Sequence, residues 1–147
     1  MAKTYRLSGG RKLVNSLMSG MLRIGVAPKT TSLLTVRGRR SGEPHSTPVN
    51  PVTDGSRRWL VAPYGEVAWV LNVRAAKQVT LSRGRHAETL RAVEISSDEA
   101  APVLKRYVAG VPITRPYFDA GPDDPIERFI AEASRHPVFE LLEPAHG

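Results

Sequence analysis

The sequence predicts a mainly β domain with peripheral helices, in which antiparallel hairpins curl into a small barrel. Short apolar runs separated by Gly, Pro and Asp turns dominate the middle of the chain, which is typical of strands joined by hairpins. A regular alternation of strands and helices is missing from the sequence pattern, and this argues against a Rossmann fold. Because 147 residues fit one domain, we expect a single domain over 1–147.

A helix with one apolar face is predicted near the start of the chain, over about 11–25. Leu13, Leu17 and Met21 recur at helical spacing, and Gly25 and Pro28 end the pattern. Basic residues flank this apolar face. The helix therefore either packs across the mouth of the barrel or lies on an anionic membrane surface, and the sequence leaves both alternatives open.

The strands are bounded by turn residues. Pro48 and Pro51 favour an edge or bulged strand in their segment, because proline has no N–H to donate to a neighbouring strand. Asp54-Gly55 and Gly84 are expected at hairpin turns. The predicted strands are 32–37, 47–53, 58–62, 78–82, 86–95 and 138–142.

Three further helices are predicted, at 67–76, 97–108 and 126–134. Ser97 is expected to head the second of them, with Asp98 and Glu99 in its first turn. The segment 110–125 contains four prolines and two glycines, too many for regular structure. We expect it to be a lid or a loop that wraps the domain.

Composition excludes several kinds of chemistry. The chain has no cysteine, which rules out disulfides, thiolate nucleophiles and cysteine-bound metals. Its four histidines show no paired spacing, so no metal site is predicted. No Gly-x-Ser-x-Gly elbow supports hydrolysis. Apolar stretches are far shorter than the roughly 20 residues that span a bilayer, and we expect a soluble, cytoplasmic protein.

Positive charge is concentrated in the first part of the chain. Residues 1–91 contain 16 Lys and Arg against 4 Asp and Glu, a net +12, whereas residues 92–147 sum to −5. Such a distribution predicts an anionic partner: nucleic acid, an acidic membrane surface or a phosphorylated and carboxylated small molecule. Nucleic acid is the least favoured, because the sequence has no recognisable recognition helix or aromatic RNA-binding platform.

The turn 38–42, Gly-Arg-Arg-Ser-Gly, is the best candidate for holding the anion. Its glycines permit tight or left-handed backbone, and Arg39 and Arg40 offer planar, charge-assisted donors to phosphate or carboxylate. Ser41 adds a hydroxyl, and residues 45–47 continue the donor-rich surface. The turn lacks the spacing of a P-loop, and taken alone it could equally be a solvated basic turn.

A second candidate region follows it. Trp69 and Asn72 are three residues apart on a predicted helix, so they share a face on which an indole and a carboxamide could contact a flat heteroaromatic ring. The preceding Pro63-Tyr64-Gly65 turn would let the backbone approach such a ring closely. The simpler interpretations are a core Trp and an ordinary connection between strand and helix.

Taken in order, these motifs resemble the deazaflavin-dependent nitroreductase family over roughly residues 30–82. The resemblance implies a split β-barrel of the FMN-binding-protein type, distantly similar to pyridoxamine-phosphate oxidases, and the coenzyme F420. The matching segments are 33–44 (LLTVRGRRSGEP), 47–49 (TPV), 54–55 (DG), 59–62 (WLVA), 64–65 (YG) and 69–72 (WVLN).

The resemblance also implies which residues bind the coenzyme. The basic turn matches the site of its phosphate and glutamate tail, the next strand runs along that tail, and a later loop and helix flank the deazaflavin ring. The implied residues are Arg39, Arg40, Ser41 and Gly42 in the turn, His45, Ser46, Thr47 and Pro48 on the strand, Ala62, Pro63, Tyr64 and Gly65 in the loop, and Trp69 and Asn72 on the helix.

The implied activity is hydride transfer from reduced F420 to a small electron-poor acceptor: a quinone, an activated alkene or a nitro compound. Tyr64, Tyr117 or water would supply the proton. Where the best-known nitroreductases have a tyrosine-rich stretch, this chain has 114–119 (TRPYFD), which leaves the substrate open. The alternatives are an FMN-dependent reductase and a non-catalytic F420 carrier, as a monomer or a homodimer.

Overall fold

The computed structural model describes residues 31–144. Its strands form one seven-stranded sheet in the order β2-β1-β5-β6-β7-β4-β3, with every pairing antiparallel. The strands are β1 (Ser32–Arg37), β2 (Pro44–Val49), β3 (Val52–Asp54), β4 (Arg57–Val61), β5 (Gln78–Arg83), β6 (His86–Glu94) and β7 (Val138–Leu142). We number the helices of this region α1 (Ala68–Ala76), α2 (Ser97–Gly110) and α3 (Ile126–Glu132).

The sheet confirms the predicted barrel-like fold. The last strand, β7, lies between β6 and β4, so the end of the described chain joins its first half, with Leu60 opposite Phe139. One face of the curled sheet encloses an apolar cluster that includes Leu34, Leu60, Leu90 and Phe139, and α1 closes it with Val70 and Val73. The same packing places the start of α1 beside the turn between β1 and β2.

A second apolar cluster lies between α2, α3 and the strands β3, β4 and β7. It includes Trp59, Leu104 and Phe129. Burying one apolar side chain of this size stabilises the folded protein by about 1.5–3 kcal/mol relative to leaving it exposed. These contacts attach the helical second half of the chain to the sheet.

One predicted strand is wrong in its bounds. The segment 47–53 is two strands, β2 and β3, separated at Asn50 and Pro51. The expectation of an edge strand is confirmed: β2 pairs only with β1 within the described residues, and Pro48 lies opposite Leu33 at this edge. A missing N–H is tolerated there because no second neighbour requires it.

The N-cap of α2 lies one residue earlier than predicted. Ser96, rather than Ser97, is the N-cap, because its Oγ accepts a hydrogen bond from the Glu99 N–H. The segment 110–125 contains a 3₁₀ helix, Pro112–Tyr117, and packs inward through Phe118 and Ala120. Of the two expectations for this segment, the wrapping loop describes what is observed.

The predicted helix at about 11–25 lies outside the described residues, so its packing or membrane contact stays a prediction. From residue 31 to residue 144, no helix has the length and apolar character needed to cross a membrane.

Candidate active site

A groove of about 630 Å³ lies between the β1–β2 turn and the start of α1. Eight of the fourteen predicted coenzyme residues line it, together with Gly38 of the predicted basic turn and with Val67 and Ala68, which the sequence interpretation missed. The eight are Arg39, Arg40, Ser41, His45, Ser46, Thr47, Trp69 and Asn72.

The basic turn is held by its own backbone. The Gly38 N–H donates to the Glu43 carbonyl at 2.8 Å, and the Gly42 N–H donates to the Gly38 carbonyl at 3.0 Å. The φ of Gly42 is +74°, a left-handed conformation that favours glycine. The Ser41 Oγ accepts from the Glu43 N–H at 3.1 Å. These bonds keep the turn tight and leave both arginines exposed.

Asn72 fixes the position of Arg39. Its Oδ1 accepts two hydrogen bonds from that residue, one from the backbone N–H at 3.1 Å and one from Nη1 at 2.8 Å. Asn72 is 5% exposed, so α1 presents a buried acceptor to an otherwise solvated turn. The side chain predicted to contact the coenzyme ring therefore anchors the cationic end of the groove.

His45 lines the groove close to the turn. A Cβ built on Gly38 would lie 2.7 Å from His45 Nε2 and 3.0 Å from Ser41 Oγ, so only glycine fits this approach without displacement. Ser46, which lies next to His45 on β2, is hydrogen-bonded through its Oγ to Thr35 Oγ1 of β1 at 2.8 Å. The pairing of β1 with β2 therefore positions the polar residues that β2 contributes to the groove.

Six predicted residues lie away from this groove lining. Gly42 borders a neighbouring groove beside Arg37 and Pro44, and Pro48 is half-buried on β2. Ala62 is fully buried, so neither its side chain nor its backbone reaches the surface. The six are Gly42, Pro48, Ala62, Pro63, Tyr64 and Gly65.

The predicted ring loop, residues 62–65, is packed against the segment before β7. The Ala62 N–H donates to the Pro137 carbonyl at 2.9 Å, and the Gly65 N–H donates to the Ala62 carbonyl at 3.3 Å. Gly65 has a φ of +89°, and a Cβ there would lie 3.4 Å from the Arg135 carbonyl. The loop therefore turns sharply at a point where any larger residue would be strained.

The two candidate proton donors, Tyr64 and Tyr117, contact each other. Their rings meet edge to face with centroids 4.7 Å apart and planes at 77°. This T-shaped arrangement is favourable for aromatic rings. The structure thus joins the loop after β4 to the 3₁₀ helix of the wrapping segment.

A buried polar pair, Glu132 and His136, lies behind this contact and was not predicted. The two residues are 2% and 4% exposed, and Glu132 Oε1 is 2.9 Å from His136 Nε2. Burial lowers the pKa of His136, while its hydrogen bond to Glu132 opposes that shift. Only their four-residue spacing at the end of a helix could have suggested the pair from sequence.

The lining of the groove combines positive charge with a flat apolar surface. Arg39 and Arg40 supply exposed cations for phosphate and carboxylates, Ser41 and His45 supply further polar atoms, and the half-buried indole of Trp69 supplies a flat apolar wall. Residues 31–144 contain no cluster of His, Asp and Glu that could hold a metal ion.

Solved structures share this architecture. A protein described as F420-H2 dependent reductase (FDR-A) is 23% identical, with 77% of this chain and 94% of that chain covered and a TM-score of 0.55. A putative pyridoxamine 5′-phosphate oxidase from Listeria innocua is 15% identical, covers 88% and 94%, and has a TM-score of 0.51. A protein described only as a domain-swapped dimer is 21% identical, covers 90% and 99%, and has a TM-score of 0.59. The fold is therefore a split β-barrel.

The sequence model of the F420H(2)-dependent quinone reductase family matches residues 2–119. Because this match covers most of the chain, the protein belongs to that family, and its cofactor is coenzyme F420. This confirms the predicted F420-dependent reductase. No curated protein matched the sequence significantly.

Proposed function

We propose that this chain reduces a small electron-poor acceptor, with quinones, activated alkenes and nitro compounds as the candidate classes. The family description favours a quinone as the first compound to test. The observation that carries the proposal is the groove of 11 lining residues, in which two arginines lie at the turn and an indole lies on α1. F420H2 supplies the hydride when it is bound.

We assign the coenzyme's acidic tail to the β1–β2 turn. Arg39 and Arg40 would bind phosphate and carboxylate oxygens, with Ser41 and His45 as further polar contacts. Asn72 supports this assignment because it holds one guanidinium in a fixed position before any ligand arrives. Fixing the side chain in advance reduces the entropy lost on binding.

We assign the reacting end to the region of Trp69 and the loop 62–65. The acceptor gains two electrons with the hydride and takes one proton from Tyr64, Tyr117 or water. The contact between the two tyrosines supports a shared position beside the reacting atoms. A proton donor has to lie within hydrogen-bond reach of the acceptor, directly or through one water molecule.

Titration of the purified protein with F420 and, in parallel, with FMN tests the cofactor assignment. We expect F420 to bind with a change in its spectrum, and Arg39→Ala with Arg40→Ala to weaken binding by a few kcal/mol, given about 1.5–3 for each charge-assisted contact. Arg85→Ala, which removes an exposed charge from the β5–β6 turn, is the matched control. Equal F420 affinity in the double variant would contradict the tail site.

Turnover separates an enzyme from a carrier. The protein loaded with F420H2 is mixed with a quinone, an enone or a nitroaromatic compound, and oxidation of the coenzyme is followed by its absorbance. We expect a rate that saturates with at least one acceptor class. Tight binding without oxidation by any acceptor would favour the carrier function, and preferential FMN binding would favour a flavin enzyme.

We also propose that the protein works as a homodimer, because one structural neighbour is described as a domain-swapped dimer. Sedimentation velocity at micromolar concentration would show a dimer, and a single monomeric species would refute this assembly.

A further inference from the structure

A chain of buried hydrogen bonds links the ring loop to the wrapping segment. His136 Nδ1 is 2.9 Å from the Pro63 carbonyl, and His136 Nε2 is 2.9 Å from Glu132 Oε1. Glu132 in turn accepts the Asp119 N–H at 3.1 Å and the Ala120 N–H at 2.7 Å. Both side chains are almost fully buried, so water does not compete for these contacts.

The direction of these bonds follows from the chemistry of the groups. A carbonyl oxygen only accepts, so Nδ1 of His136 carries the proton that is donated to Pro63. Two backbone N–H donors and the imidazole together satisfy a carboxyl group whose burial would otherwise be costly.

Each end of this series of hydrogen bonds lies close in sequence to one of the contacting tyrosines. Pro63 immediately precedes Tyr64, and Asp119 follows Tyr117 by two residues. Between them, Phe118 stacks on the His136 imidazole with centroids 4.0 Å apart. Arg135 adds an ion pair to Asp119 at 2.7 Å. The bond to Pro63 holds the loop to His136, and the remaining contacts hold His136 and its neighbours to the wrapping segment.

We propose that Glu132 and His136 are positioning residues that hold Tyr64 against Tyr117 and thereby form the wall of the acceptor site. This inference rests on the proposed function, because it takes the tyrosine pair to lie on the acceptor side. Both residues lie beyond the segment that the family model matches, which ends at residue 119.

Two isosteric substitutions of His136 test its two hydrogen bonds separately, the one to Pro63 and the one to Glu132. In His136→Asn the amide nitrogen takes the place of Nδ1 and retains a donor for Pro63, whereas the contact with Glu132 is lost. In His136→Gln the amide nitrogen takes the place of Nε2, which leaves the buried Pro63 carbonyl without its donor. We expect the second variant to free the Tyr64 loop and the first to retain its position.

The test combines a spectroscopic measurement with steady-state kinetics. In the cofactor-free protein, NMR cross-relaxation between the Tyr64 and Tyr117 rings should be present in wild type and His136→Asn and lost in His136→Gln. In the holoenzyme, His136→Gln should raise the KM for the acceptor on the order of tenfold or more, since small misplacements near reacting groups have large effects. The Kd for F420 should rise by a smaller factor than the acceptor KM, because the arginines of the tail site are not altered.

Leu90→Val is the control for general destabilisation, because Leu90 is buried in the other apolar cluster. It should lower stability while leaving both the ring contact and the acceptor KM unchanged. Persistence of the Tyr64–Tyr117 contact in His136→Gln, or loss of the contact with an unchanged acceptor KM, overturns the positioning role. Failure of wild type to bind F420 or turn over would instead refute the proposed function, and the NMR result distinguishes the two failures.

Discussion

In the groove, the helix residue Asn72 directly holds a cation of the turn, Arg39. Both hydrogen bonds end on the same oxygen, Asn72 Oδ1, so removing that oxygen releases the backbone and the guanidinium of Arg39 together. Asn72 would therefore affect coenzyme binding through the position of Arg39, and not through its own contact with the coenzyme ring.

Asn72→Ala should weaken F420 binding by about 1 to 2 kcal/mol, roughly a 5- to 30-fold rise in Kd, because Arg39 must then be ordered by the ligand itself. Fluorescence titration of the coenzyme measures this change. Arg85→Ala, which removes a charge far from the turn in sequence, should leave the Kd unchanged. A folded Asn72→Ala protein with wild-type affinity would show that the anchor does not matter for binding.

The pKa of His136 predicts how stability varies with pH. Burial lowers this pKa below the ordinary value of 6.5, so the unfolded chain takes up the proton at a higher pH than the folded chain does. The unfolded state therefore binds more protons as the pH falls through about 6.5, and the folded state loses stability there.

Urea denaturation at about pH 7.5 and about pH 5.5 measures this loss. We expect the free energy of unfolding to fall in wild type and to fall less in His136→Asn, which has no titrating group at this position. Equal falls in the two proteins would assign the pH dependence to other residues.

At the scale of elements, the β1–β2 turn contains two glycines with different physical roles. Gly42 has a left-handed φ and open space around it, whereas Gly38 has no such conformation but lies against the His45 ring. A methyl group therefore causes backbone strain at one position and a side-chain collision at the other.

Gly42→Ala should destabilise the protein by about 1–2 kcal/mol, the cost of a left-handed non-glycine residue. Gly38→Ala should cost less stability, because the His45 side chain can rotate away, but it should weaken F420 binding by displacing a groove residue. Chemical denaturation and coenzyme titration of both variants measure the two quantities. The opposite pattern would mean that His45 does not contribute to the groove.

The hairpins were predictable because each is encoded locally. The pattern of β1 ends at the glycine-bounded turn, and Gly55 and Gly84 lie at later turns with positive φ. The break between β2 and β3 was missed because Pro51 was interpreted as a bulge within one strand. The pattern alone does not distinguish a bulge from a connection.

The site was predictable only where its residues are close in sequence or match a family motif. Glu132 and His136 look like ordinary residues at the end of an amphipathic helix. Their burial arises from long-range contacts with Pro63 and with the backbone of Asp119 and Ala120, which no local pattern records. Asn72 was predicted as a groove residue, but its bond to Arg39, 33 positions away, was not.

At the scale of the whole molecule, the charge distribution defines how the coenzyme is attracted. The basic turn, whose two arginines are exposed to solvent, belongs to the part of the sequence, residues 1–91, that has a net charge of +12. Exposed charges are screened by salt, since the Debye length falls from about 10 Å at 0.1 M to about 3 Å at 1 M. Binding of a polyanionic tail should therefore depend strongly on ionic strength.

We expect the Kd for F420 to rise steeply between about 0.05 M and about 0.5 M NaCl in wild type, and to rise much less in the Arg39→Ala, Arg40→Ala double variant. Arg85→Ala should retain the wild-type slope if the turn, rather than the general positive field, determines the dependence. An equal slope in all three proteins would assign attraction to the net charge of the chain. A flat slope in wild type would mean that the acidic tail lies away from these arginines, because a polyanion bound to exposed guanidinium groups cannot avoid competition from salt.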